Sequence, residues 1–209
     1  MKNYNLSITF YTVFILALLY PAIYLSNITL MLINFISIKN AYINNLINLG
    51  ILDFLTPVTL LLLFFYITNH WLWKLINKVL GIPIIEGRYG GILKSTYTED
   101  GSHNIILEIE QTLTQIKIYF YAEKSQSWSI VSGLFKNELG NWAMYYIYEN
   151  KTRVIGDNSD MKDHEGVSIV DINGKSLSGY YFNDLRNRGN YGNFNVNFIN
   201  KKLLRKYKG

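Results

Sequence analysis

The chain has 209 residues, 49% of them hydrophobic and only 17% charged, with a formal net charge of +5 and no cysteine. Without cysteine, a disulfide scaffold, a cysteine-ligated structural zinc site and a cysteine nucleophile are all excluded. Residues 1–80 hold four basic residues and one acidic residue, against sixteen basic and fourteen acidic in residues 81–209, and this asymmetry excludes a single water-soluble domain.

The membrane-like half comes first. Asn3 to Ile38 contains no Asp, Glu, Lys or Arg, and Ile8 to Leu32 is dense in Ile, Leu, Phe, Val and Tyr. About 20 such residues suffice to span a bilayer as a helix. A second span is expected over about residues 51–73, where Phe54 to Trp73 again lacks those charged types. The Asn-rich connector Lys39 to Gly50 is short, so the two spans form a transmembrane hairpin with both chain ends on one side. Lys2 precedes the first helix and Lys74, Lys78 and Arg88 follow the second, a bias that puts both termini in the cytoplasm. A cleaved signal peptide ending near Ser26 is the competing reading, but the apolar run is too long and lacks a small-x-small cleavage site. Asn27, Asn34, Thr56, Thr59 and Thr68 can bond between helices or locally. Pro21 and Pro57 permit kinks. No ring of charges marks a pore. After Trp73 the apolar residues Leu75, Ile76, Val79 and Leu80 keep helical spacing, until Gly81 and Pro83 stop the helix.

From Glu86 the hydrophobic period changes from helical to two. Strands are expected at Gly87–Thr96, His103–Glu110, Leu113–Glu123, Ser127–Phe135, Trp142–Glu149, Val167–Ile172, Leu177–Asn183 and Tyr191–Ile199. Short turn signals such as Asn137 to Gly140 and Asn173-Gly174 join them as antiparallel hairpins. The expected fold is therefore a two-helix transmembrane hairpin over residues 1–80, followed by a cytosolic, all-β, up-and-down antiparallel barrel of about eight strands over 81–209, lipocalin-like in architecture. An open sandwich is the alternative; of the connections, only Asn150 to Gly166 is long enough for a Greek-key crossing.

An ordered set of short motifs runs through this half: Pro83-x-x-Glu86-Gly87-x-Tyr89-x-Gly91, Gln111-Thr112-Leu113, Ser125-x-Ser127-Trp128-Ser129, Tyr146-x-Tyr148, His164-Glu165-Gly166 and Leu177-Ser178-Gly179-Tyr180-Tyr181, then Arg186, Arg188 and Gly189. Together with the helical hairpin they give a chain that resembles the two-transmembrane, β-barrel effectors of CBASS anti-phage systems over essentially its full length. The resemblance implies that the barrel binds a cyclic dinucleotide made by a partner nucleotidyltransferase. It further implies self-association into homo-oligomers, disruption of the bacterial inner membrane by the transmembrane segments, and abortive infection. Tyr89 departs from the family pattern, where a tryptophan is expected, which bears on the size of a pocket floor.

A cyclic dinucleotide carries two phosphates and two flat bases, so its site needs cationic or amide donors and aromatic faces. Residues 81–209 hold eleven tyrosines and two tryptophans. The ligand-binding candidates are Trp128, Tyr146, Tyr148 and Tyr181 for the bases, and Arg153, Arg186 and Arg188 for the phosphates, because a guanidinium grips phosphate bidentately. Alternation puts Tyr146 with Tyr148 on one face of their strand, and Leu177, Gly179 and Tyr181 likewise on one face of theirs, without saying which face points inward. Tyrosine is also ordinary strand material. Ser125, Ser127 and Ser129 share a face and suit either phosphate or solvent.

No catalytic residue, cofactor or metal ligand is assigned. Asp157, Asp160, Asp163, His164 and Glu165 fit neither an EF-hand nor a zinc site and read as a polar loop, and no nucleophile elbow, P-loop or dinucleotide fingerprint occurs. The basic tail (Lys201, Lys202, Arg205, Lys206, Lys208) suits anionic headgroups, or else a free solubilising end. Without it, residues 81–200 hold eleven basic and fourteen acidic residues, which disfavours binding to a DNA or RNA polymer. The alternative functions are a membrane-tethered lipocalin-like binder of a small apolar ligand, and a small membrane enzyme working through the Asp157 to Glu165 loop.

Overall fold

The computed structural model describes residues 8–37, 57–96, 101–152, 163–183 and 189–207. Its described residues form two compact units that divide between Trp73 and Lys74.

In the first unit, α1 (Ile8–Ser37) packs against α2 (Pro57–Ile67), which runs into a five-residue π-turn (Thr68–Leu72); α3 (Trp73–Leu80) follows in sequence and, apart from Trp73, belongs to the second unit. Among the described residues, two stretches are long and apolar enough to cross a membrane: Thr12–Ile33, of mean hydropathy 1.9, and Pro57–Leu80, of mean hydropathy 1.2. Thr68 is satisfied locally, its hydroxyl donating to the Phe64 carbonyl at 2.5 Å. Residues 51–56 of the expected second span, Asp53 and Thr56 among them, lie outside the described residues.

In the second unit eight strands follow in sequence order: β1 (Gly87–Ser95), β2 (Ser102–Gln111), β3 (Ile116–Tyr121), β4 (Ser125–Lys136), β5 (Trp142–Thr152), β6 (His164–Asn173), β7 (Ser176–Asn183) and β8 (Tyr191–Asn200). Each pairs antiparallel with its neighbour, and β1 pairs with β8, so the barrel is closed. Closure removes both sheet edges, and the sandwich alternative is set aside. The β6–β7 connection is a two-residue hairpin in which Gly174 takes φ +63, the left-handed conformation such turns demand.

Opposed residues share a face, so the register sorts the barrel. Tyr89, Leu107 and Ile109 on β1 and β2, Ile118 on β3, Leu134 on β4, Met144 on β5, Val170 on β6, and Leu177 and Val196 on β7 and β8 point inward, and all are buried. They fill the end of the barrel at which β1 begins. The Ile82–Glu86 segment closes that end. The Ile85 amide donates to Gln111 Oε1 at 2.8 Å, Gln111 Nε2 donates to the Pro83 carbonyl at 2.9 Å, and the Tyr89 hydroxyl donates to the Ile85 carbonyl at 3.0 Å. Tyr89 is therefore a floor residue, its ring edge-on to Phe198 at 5.5 Å.

The basic tail is not a free end. Glu108 and Arg88 form a buried ion pair on the outer wall, and a buried pair needs further hydrogen bonds to offset desolvation. The tail supplies them: the Leu204 and Arg205 amides donate to the Glu108 carboxylate at 2.9 and 3.0 Å, and Arg88 donates to the Lys206 carbonyl at 3.1 Å. The Arg205 side chain pairs with Glu110 at 2.9 Å. This docking holds Arg205 at φ +52, a conformation that costs a non-glycine residue some energy.

Candidate ligand-binding mouth

In an up-and-down barrel every second connection emerges at the same end. Opposite the closed floor, β1, β3, β5 and β7 end and β2, β4, β6 and β8 begin. Inward positions there change from aliphatic to polar. Tyr146 opposes Ser168, which opposes Tyr181; Tyr148 opposes Gly166, which opposes Asn183; Ser127 opposes Asn150, which opposes His164.

These groups are already organised. The Tyr148 hydroxyl donates to Asn183 Oδ1 at 2.6 Å, the Tyr181 hydroxyl to Ser95 Oγ at 2.8 Å, and Ser127 Oγ to Asn150 Oδ1 at 3.1 Å. Tyr146 and Tyr148 lie 6.0 Å apart between ring centroids, and Tyr148 meets His164 edge-on at 6.4 Å. Glycine makes this packing possible. A Cβ on Gly166 would stand 2.5 Å from Tyr148 Cζ and 2.8 Å from the Phe182 carbonyl oxygen, so only glycine leaves room for the ring.

Burial pushes the Tyr146 hydroxyl up to about 12, against a smaller lowering from its bond to Ser168. Tyr148 is raised by burial and then by the neighbouring Tyr146 and Tyr181. Tyr181 is raised by burial, partly offset by its bond to Ser95. The phenols are therefore neutral donors and acceptors at physiological pH, in surroundings that disfavour charge.

The sequence-derived candidates separate into three groups. Tyr146, Tyr148 and Tyr181 come together on the inner wall of the mouth. Trp128 does not join them: it opposes Tyr119 and Glu149 on the outer face, with the Lys151 ammonium 5.3 Å from its ring centroid. Arg153, Arg186 and Arg188 lie outside the described residues; in sequence they follow the mouth end of β5 and fall between the mouth ends of β7 and β8.

The serine stripe points inward, but part of it serves the sheet. Regular β3–β4 pairing covers only Tyr119–Tyr121. Below it the Ile118 amide donates to Ser129 Oγ at 3.0 Å, and Ser132 Oγ donates to the Ile116 carbonyl at 2.6 Å. The hydroxyls replace ladder bonds that buried backbone requires. Of the acidic loop, Asp157 and Asp160 lie outside the described residues, and among the described residues no group of three or more His, Asp or Glu is placed to hold a metal.

Residues 80–197 match the family model of the Cap15 cyclic dinucleotide receptor domain. The chain belongs to this family. No curated protein matches it. The Cap15 match spans more than half the chain and contains seven strands with most of the eighth, so floor, inner wall and mouth all fall within it. Read as a Cap15-type barrel, the mouth holds two polar residues that composition did not single out, Asn150 and Asn183. Period-two alternation carries Tyr146 and Tyr148 on to Asn150, and Tyr181 on to Asn183, so the signal was present in the strand pattern once the inward phase was known.

Proposed function

We propose that the chain is a membrane-anchored CBASS effector whose barrel mouth senses a cyclic dinucleotide. The observation that carries this reading is a polar, tyrosine-lined inner wall at one end of a barrel of the Cap15 cyclic dinucleotide receptor family. In this reading Tyr146, Tyr148 and Tyr181 offer ring faces and hydroxyls to the bases, and Arg153, Arg186 and Arg188 take the phosphates. The chain acts by sensing rather than by catalysis.

Binding then drives self-association into homo-oligomers, and the apolar helices, anchored in the inner membrane with both termini cytoplasmic, rearrange and breach the bilayer. Two helices of spanning length support the anchoring. The polar mouth favours a nucleotide over the small apolar ligand of a lipocalin-like carrier, because an apolar ligand would leave the carboxamides without partners.

The test uses the full chain in two settings. In detergent micelles, calorimetric titration with cyclic dinucleotides is expected to give saturable binding that weakens in Arg186→Ala and Arg188→Ala. In dye-loaded liposomes, the same ligand is expected to trigger leakage. Ligand binding without leakage would remove the membrane-disrupting half of the reading, and no binding by any cyclic dinucleotide would remove the sensor.

A further inference from the structure

Two carboxamides stand at the mouth with their oxygens already engaged. Ser127 Oγ donates to Asn150 Oδ1, and the Tyr148 hydroxyl donates to Asn183 Oδ1. The 2.6 Å length of the second contact is that of an O–H···O bond rather than an N–H···O bond, so the hydroxyl fixes which end of Asn183 is the amide nitrogen. Each Nδ2 is left as a free double donor, Asn150 on the buried inner wall and Asn183 half-exposed at the rim.

The inner wall around them carries tyrosines, serines, glycines and His164, and no lysine or arginine among the described residues. Moving a phosphate into such surroundings leaves a charge desolvated and unpaired, whereas a neutral base loses little. A cyclic dinucleotide therefore enters base-first, with its phosphates kept at the rim. The donors then meet base edges, and the chemistry of those edges decides the fit. Adenine is read best by a carboxamide that accepts from N6 while donating to N7; guanine, with O6 and N7, presents adjacent acceptors. Uracil likewise offers oxo oxygens at its edge. Here a hydroxyl takes one of the two lone pairs of each oxygen and fixes the amide's direction, which leaves two N–H donors against a single remaining acceptor site, a balance that favours an edge of acceptors.

Resting on the sensor reading above, we propose that Asn150 and Asn183 are specificity-determining residues that select oxo bases, guanine or uracil, over adenine in a ligand bound base-first.

The experiment is a calorimetric titration of the full chain in detergent micelles with cyclic diguanylate, cyclic diuridylate and cyclic diadenylate, repeated with Asn183→Asp. The aspartate keeps an acceptor for the Tyr148 hydroxyl but has no donor. At least one oxo ligand is expected to bind tenfold or more tightly than the diadenylate in the native chain, and to lose about that factor in Asn183→Asp. Asn150→Asp is expected to act in the same direction. Equal or tighter binding of the diadenylate overturns the proposal while leaving the sensor reading intact, as does an unchanged ranking in both variants. If no ligand of the three binds, this proposal is overturned, while the sensor reading falls only if mixed cyclic dinucleotides fail to bind as well.

Discussion

Gly166→Ala tests the packing that builds the mouth. Gly166 has no left-handed φ, so alanine meets no backbone penalty and the whole effect comes from the added carbon. That carbon would sit 2.5 Å from Tyr148 Cζ and 2.8 Å from the Phe182 carbonyl oxygen, whereas carbon contacts are comfortable at about 3.5–4.0 Å. The carbonyl belongs to the ladder and cannot retreat, so the Tyr148 ring must move and its bond to Asn183 breaks. Overpacking of this kind costs about 1–3 kcal/mol, and the lost hydrogen bond about 1 kcal/mol more. The sum, about 2–4 kcal/mol, corresponds to a fall in barrel melting temperature of roughly 10 °C. The assay is thermal unfolding of the full chain in detergent, followed by near-ultraviolet circular dichroism. A second arm makes the same substitution in a Tyr148→Ala background, where the cost is expected to shrink by at least about 1 kcal/mol because the two side chains no longer compete. A melting temperature unchanged by Gly166→Ala, or an equal cost in both backgrounds, would refute the placement of Tyr148 over Gly166.

Other consequences follow from the same geometry. Tyr89 and Tyr146 are held near 12 in the folded chain, against an ordinary 10. The unfolded chain loses those protons first, so stability is full below about pH 10 and falls as pH rises toward 12, by on the order of 2 kcal/mol for each group; a pH titration of denaturation midpoints in native and Tyr146→Phe chains checks this, and identical curves would contradict it. Truncation after Asn200 takes two amide donors from Glu108 and is expected to cost about 2–3 kcal/mol, whereas Arg205→Ala, which breaks only an exposed, solvent-screened pair, is expected to cost much less; equal effects in denaturant titration would mean the backbone contacts are not what docks the tail. Trp128→Ala is expected to leave nucleotide affinity within a factor of about two, while Tyr181→Ala, which removes an inner-wall ring, lowers it about tenfold. Calorimetry decides this, and a loss confined to Trp128→Ala would move the site to the outer wall.

Much of the barrel is legible in the sequence because alternation and turn chemistry agree. All eight strands occur in the expected order, and the Asn173-Gly174 signal marks the turn it should. Differences arise where tertiary contacts override the pattern. Leu113 was expected to open a strand; instead Thr112 to Gln115 form a turn, the Thr112 amide donating to the Gln115 carbonyl at 2.8 Å, and Leu113 is buried outside the sheet. β6 begins at His164 rather than Val167 because Asn150 and Glu149 on β5 extend the pairing.

The candidate site was less legible than the fold. Alternation groups Tyr146 with Tyr148 but carries no sign, and only closure of the barrel says which face is inside. An irregularity in register between Ser129 and Val131 shifts the phase of β4, so that Ser127 and Ser132, five positions apart, both face inward. Trp128, between two inward serines, falls outside for the same period-two reason. Glu108 reads in sequence as a solvated strand residue; its burial depends on a tail almost a hundred positions away, a contact no local pattern encodes.

The most direct test of the central claim is a calorimetric titration of the detergent-solubilised full chain with cyclic dinucleotides, run beside a Tyr148→Ala, Tyr181→Ala double variant whose folding is verified by circular dichroism. Saturable binding to the native chain, with affinity at least tenfold lower in the variant, is the predicted result. Native binding that survives undiminished in the variant, or no binding of any cyclic dinucleotide to the native chain, would contradict a ligand site at the mouth of the barrel.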